Sequence, residues 1–138
     1  METVTVTESL AGLASFFTHF CTAVTLMALF CFVYGKVTPY SELQLIREGK
    51  VAPAISFSGA TIGFVLPLGA SIAQSVSYLD MLVWGGVALV AQIAVFVALR
   101  IVLGDLVRDI AENRIASATI LAAFSIATGI LAAACMTY

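Results

Sequence analysis

Val51–Tyr78 reads VAPAISFSGATIGFVLPLGASIAQSVSY, a stretch with no charged residue. As a helix it is long enough to cross a hydrocarbon core about 30 Å thick. Yet Ser56, Ser58, Gly59, Thr61, Gly63, Gly69, Ser71, Gln74 and Ser75 interrupt the apolar residues, and prolines stand at 53 and 67. A helix facing only lipid has little use for so many small and hydrogen-bonding groups. One packed closely against other helices does. The stretch predicts a transmembrane helix at the centre of a bundle.

The rest of the chain has the same character. Of 138 residues, 62% are hydrophobic and 10% charged, too apolar a balance for a soluble domain of this size. The charges cluster and leave four candidate spans: Leu10–Tyr34, Val51–Tyr78, Met81–Leu99 and Ile115–Tyr138. Cys21, Cys31 and Cys135 fall within spans with no CxxC spacing, which argues for packing roles over a disulfide framework or zinc site. No nucleophile–base set, phosphate loop or ligand-spaced His/Cys group is present, so the reading is of a non-enzyme with no metal and no cofactor. Charges of mixed sign give no reason to expect nucleic acid as a partner. The opening METVTVTESL lacks the basic region of a signal peptide, so the first span is expected to be a permanent helix.

All six basic residues lie in or beside two connections. Lys36, Arg47 and Lys50 stand between spans one and two; Arg100, Arg108 and Arg114 stand between spans three and four. Under the positive-inside rule both connections are cytoplasmic, anchored at Lys36, Lys50, Arg100 and Arg114, and both termini face outward, into the periplasm. The first connection, KVTPYSELQLIREGK, predicts a short interfacial helix: Thr38 as N-cap, Pro39 at its first position, Leu43 and Ile46 on one face, Gly49 as stop. The second, GDLVRDIAENR, has the same layout, with Val107 and Ile110 as the apolar pair and Asn113 as stop.

Sliding the chain by 64 positions brings these layouts into register. It pairs Lys36 with Arg100, Leu43 with Val107, Ile46 with Ile110, Glu48 with Glu112, Gly49 with Asn113 and Lys50 with Arg114. The block LIREGKVAPA falls on DIAENRIASA. The expected fold is an all-α membrane protein, one integral domain over residues 1–138. Its four transmembrane helices form two parallel helix–interfacial helix–helix repeats, about 10–78 and 79–138.

Gly59 and Gly63 form a GxxxG that the offset maps onto Ala123 and Ala127, and these four are the expected helix-packing residues. Pro67 with Gly69 predicts a kink, because proline removes one helical donor and frees the carbonyl four residues earlier. Ser/Thr side chains or water are the expected partners for that carbonyl. Ser56, Thr61, Gln92, Thr18, Thr22 and His19 are candidates either for a polar pathway or for interhelical hydrogen bonds. The second role is favoured, since hydroxyls within spans usually bond back onto their own helix. His19, Gln74 and Asp80 cluster toward the outer face, and a histidine with a carboxylate near a kinked helix is one form of proton or cation entry site. Asp80 serves equally as a helix cap, and one histidine makes no metal site. Phe16, Phe17, Phe20, Phe30 and Phe32 suit contact with lipid or a neighbouring subunit, and self-association is expected.

The stretch TPYSELQLIREGKVAPAISFSGATIGFVLPLGASI resembles the YjfL family of small bacterial inner-membrane proteins, most specifically over LIREGKVAPAISFSGATIGFVLPL. That family is catalogued as a duplicated domain of unknown function. The resemblance implies a Gram-negative inner (plasma) membrane location and no catalytic residues. Relatives tend to be encoded beside phage-shock-type membrane-stress proteins and a glutathionylspermidine-synthase-like ligase, which implies membrane maintenance or polyamine handling. The leading expectation is a non-enzymatic homo-oligomeric subunit in envelope maintenance, touching the bilayer and a cytoplasmic membrane-stress partner. The competing one is a small oligomeric channel or transporter for a cation or polyamine.

Overall fold

The computed structural model describes residues 5–136. Residues 1–4 of the expected N-terminal tail and 137–138 at the end of the expected fourth span lie outside the described residues. Six helices follow one another: α1 Val6–Val37, α2 Glu42–Arg47, α3 Val51–Gln74, α4 Tyr78–Leu103, α5 Leu106–Ala111 and α6 Ile115–Cys135. Among the described residues there is no strand. The helices α1, α3, α4 and α6 are each long and apolar enough to cross a membrane. The fold is all-helical with four candidate membrane-spanning helices.

Capping chemistry moved several ends from where hydropathy put them. The first helix starts at Val6, four residues earlier than Leu10, because the Thr5 N–H donates to the Glu8 carboxylate at 2.9 Å and closes the first turn. At 32 residues it extends about 48 Å, longer than the hydrocarbon core, so it tilts or projects beyond it. The third helix stops at Gln74, where the Ser75 hydroxyl donates back to the Ser71 carbonyl. Tyr78, expected at the end of span two, instead opens α4. There Ser77 is the N-cap, accepting from the Asp80 N–H at 3.2 Å, while Asp80 accepts from the Val76 N–H at 3.3 Å.

Thr38 does not cap α2. Its hydroxyl donates to the Tyr34 carbonyl at 3.1 Å and so finishes α1, leaving Ser41 as the residue before α2. The stops are glycine and asparagine in left-handed conformation, Gly49 at φ 83° and Asn113 at φ 63°. Each is followed by the same pair of bonds. The Gly49 and Lys50 N–H groups reach Ile46 and Leu45, and the Asn113 and Arg114 N–H groups reach Ile110 and Asp109. The two turns are also tied together, with Lys50 Nζ donating to the Ala111 carbonyl at 3.2 Å and the Ala52 N–H to Asn113 Oδ1 at 2.9 Å.

The core gathers around α3. Half of its most apolar window is buried, against 6% for α1. An aromatic knot joins α1, α3 and α4: Phe30 stacks on Phe64 with ring centroids 4.6 Å apart, and Tyr34 meets Phe96 edge-on at 5.7 Å. Phe30 is thus fully buried, while Phe16, Phe17, Phe20 and Phe32 remain on the surface as expected of lipid-facing rings.

Candidate functional site

The closest helix pair is α3 against α6, and glycine makes the approach possible. A Cβ on Gly59 would lie 2.4 Å from Ala122 Cα, and one on Gly63 would lie 2.3 Å from the Ser125 carbonyl oxygen. A Cβ on Gly129 would lie 2.2 Å from the Gly63 carbonyl oxygen. That oxygen is the one deprived of its helical donor by Pro67. It faces the bare backbone of Gly129. Helix α3 continues unbroken through Pro67. On α6 the buried residues are Ala118, Leu121, Ala122, Ser125 and Gly129. Ala123 and Ala127, the positions the offset makes equivalent to Gly59 and Gly63, lie on its exposed side, and the residues that meet Gly59 and Gly63 are Ala122, Ser125 and Gly129. Gly69 has nothing within 4 Å of a would-be Cβ.

Gln92 is buried where α4 meets this crossing. Its Nε2 donates to the Ser125 carbonyl at 3.1 Å, while its Oε1 has no partner among the described residues. The hydroxyls of Ser56 and Thr61 donate to the Pro53 and Phe57 carbonyls of their own helix. Thr18 and Thr22 do the same on α1, and Thr22 also meets the Tyr78 hydroxyl. His19 Nδ1 sits 2.8 Å from the Ser15 carbonyl, and its ring meets Tyr78 edge-on. His19 lines an open groove of about 410 Å³ with Gly12, Ser15, Phe16, Phe20 and Ala23. Asp80 is engaged in its cap and with Trp84 Nε1 at 3.1 Å. Gln92 and Thr22 thus bond across helices, while Ser56, Thr61 and Thr18 bond back to their own.

Of the expected basic anchors, Lys50 is held by Ala111, Arg114 approaches Asp109 and Glu112 at 3.6 Å each, and Lys36 lies 5.4 Å from the Phe32 ring centroid. Arg100 is exposed near the end of α4. Among the described residues no group of three or more His, Cys, Asp or Glu could hold a metal ion.

The densest unsatisfied chemistry lies at the end of the bundle that carries α2 and α5. Glu42 is 4% exposed, and neither carboxylate oxygen has a hydrogen-bond partner. The buried hydroxyls of Tyr34 and Tyr40, its polar neighbours, have none either. The Ser56 hydroxyl lies beside Tyr40 and donates to the Pro53 carbonyl at 3.1 Å. Burial pushes the Glu42 carboxyl up to about 8 and raises the Tyr40 phenol. The outer side of this cluster is a groove of about 510 Å³ whose wall includes Glu42, Lys36, Phe32, Phe57 and Leu43.

The apolar residues of α2 point to a face of Leu43 and Ile46, and the structure corrects this. Glu42, Leu45 and Ile46 turn inward, whereas Leu43 is 64% exposed. Residues i, i+3 and i+4 share a face, and the one centred on Glu42 is the one that docks. Sixty-four residues on, Leu106 occupies the same first position of α5 and is fully buried. Glu42 thus stands where the second short helix has leucine, a mismatch the offset alignment could have exposed. Gly129 gave no such signal, because only the crossing of α3 and α6 brings it to Gly63.

The model for the Domain of Unknown Function (DUF350) matches residues 8–136. The chain belongs to that family. The chain is 36% identical to the UPF0719 inner membrane protein YjfL of Escherichia coli K12 over 129 residues, covering 94% of this chain and 98% of that one. The O157:H7 form of YjfL matches equally. The UPF0719 transmembrane protein YshE of Bacillus subtilis is 33% identical over 67 residues, 49% of this chain and 50% of YshE. No solved structure matches. With four membrane-spanning-capable helices and these inner-membrane relatives, the chain is a multi-pass inner-membrane protein of an uncharacterised family.

Proposed function

We propose that the chain is a non-enzymatic, self-associating subunit of the inner membrane that serves envelope maintenance. The observation that carries this is the position of α1. That helix contributes one aromatic knot to the core and leaves the His19 groove open along its length. An ionisable side chain in a span almost always faces a protein interior or an aqueous cavity. A second copy of α1 laid into the groove supplies that interior.

Two parallel helix–short helix–helix units, about 10–78 and 79–138, make up the chain. The matching turns at Gly49 and Asn113 support this division, with the same backbone bonds 64 residues apart. Both basic connections face the cytoplasm and both termini face the periplasm, as the distribution of Lys and Arg implies. On that side Leu43 is the exposed apolar residue of α2, available to a cytoplasmic membrane-stress partner.

With Cys21, Cys31 and Cys135 replaced by alanine, Ser15→Cys is expected to give disulfide-linked dimers in native membranes, whereas Val90→Cys on α4 gives none. Failure at Ser15, or equal yields at both positions, contradicts association through α1. Leu43→Lys is expected to leave folding intact and to abolish recruitment of the cytoplasmic partner and tolerance of membrane stress. Survival of both functions rules out that surface.

The second reading is movement of a cation through the assembly. The unpartnered Glu42 carboxylate speaks for it. The backbone contact of α3 with α6 speaks against a path within one copy. Proteoliposomes of the purified protein are expected to show no ion or polyamine flux above empty vesicles.

A further inference from the structure

We propose that Glu42, with the hydroxyls of Tyr34 and Tyr40, is a binding site for one primary ammonium group, supplied by the headgroup of an ethanolamine phospholipid lying in the adjoining groove. A carboxylate removed from water with no hydrogen-bond donor is costly, and a fold that keeps one gains by giving it a charged donor. Glu42 and the two phenols present four acceptor oxygens without partners. A primary ammonium brings three N–H donors, enough for both carboxylate oxygens and a phenol. A quaternary ammonium brings none.

The groove argues for a lipid as the source. Its walls bring together Glu42 on α2, a carboxyl that ionises as the ammonium binds, and the Lys36 cation on α1, which suit the ammonium and phosphate of a zwitterionic headgroup. Phe32, 63% exposed, continues the groove as an apolar surface that fits an acyl chain. Gly35 leaves room on the α1 side, with nothing within 4 Å of a would-be Cβ. The covered carboxylate turns towards the groove it lines as the ammonium enters.

Occupancy is linked to protonation. Facing Glu42 are Cys31, Tyr34 and Lys36 from α1 and Tyr40 from the α1–α2 link. The third helix carries no titratable side chain, and Arg47 and Glu48 sit exposed at the far end of α2. Because burial holds the empty carboxyl neutral up to about pH 8, binding of the ammonium releases one proton. Affinity therefore rises about tenfold per pH unit as pH approaches 8.

The test is thermal unfolding of the full chain in phosphatidylcholine nanodiscs, with and without phosphatidylethanolamine, and separately with ethylamine. Phosphatidylethanolamine is expected to raise the midpoint by about 4 °C. The rise should grow with pH, vanish in Glu42→Gln and shrink in Lys36→Ala. If ethylamine reproduces the Glu42-dependent rise and the lipid does not, the ammonium site stands and its source is a free amine. If neither raises the midpoint, if the rise persists in Glu42→Gln, or if it is flat with pH in the unmutated chain, the proposal is overturned. The pH series needs no substitution, so it decides the matter even if a variant folds poorly.

Discussion

Gly63→Ala is expected to destabilise the protein by about 3 kcal/mol, while Gly69→Ala, in the same helix, changes stability by less than about 0.5 kcal/mol. The added methyl at 63 meets backbone, 2.3 Å from the Ser125 oxygen and 2.7 Å from its carbon, and these atoms cannot turn aside as a side chain can. The helices must separate by the width of a methyl group. That separation also strains the Gln92–Ser125 bond, since Gln92 Nε2 would lie 2.9 Å from the new atom. Such an interhelical bond is worth about 0.6–2 kcal/mol. It also uncovers the Gly63 carbonyl that Pro67 leaves without a helical donor. Gly69 meets nothing, and alanine is the better helix former there. Denaturant titration in micelles separates the two variants. Equal costs would contradict the α3–α6 crossing as described.

The second large effect is pH dependence set by Glu42. Its carboxyl is shifted from 4.5 to about 8 by burial, so between those values the folded chain holds one proton more than the unfolded chain. Stability then falls as pH rises, by about 1.4 kcal/mol per unit, from full value below pH 4.5 to a plateau above about 8. The whole loss is of order 5 kcal/mol, an upper figure because α2 can swing out and rehydrate the carboxylate before the helices part. Glu42→Gln removes the titration, so its stability in phosphatidylcholine should be nearly flat over this range and should exceed that of the unmutated chain at about pH 8. Glu42→Leu, which copies Leu106 of α5, should do the same. Parallel curves for the variants and the unmutated chain would show that Glu42 is not the titrating group.

Much of the architecture was legible because a bilayer imposes length and apolarity on every crossing helix, and because glycine and asparagine mark left-handed stops. The four spans and the two short helices followed from that. The ends shifted where single side chains decided them: Glu8, a charge outside the expected first span, closes the first turn of α1, and the Ser77 cap puts Tyr78 into α4. The residues of α6 that meet Gly59 and Gly63 were not legible in the sequence for a geometric reason. An internal offset pairs equivalent residues, Gly59 with Ala123, whereas contact across two facing helices pairs whichever residues the crossing brings together, here Ala122, Ser125 and Gly129. Glu42 was hidden because its face was assigned from leucine and isoleucine, while burial at the base of α1 selected the carboxylate side.

Self-association through α1 is the claim on which the functional reading rests, and counting copies tests it most directly. The measurement is native mass spectrometry of the full chain released from nanodiscs formed in its own membrane lipids. The account predicts particles of two or more copies that fall to single chains when Ser15 is replaced by lysine in the His19 groove. Single chains from the unmutated protein, under conditions that keep its helices folded, would contradict it.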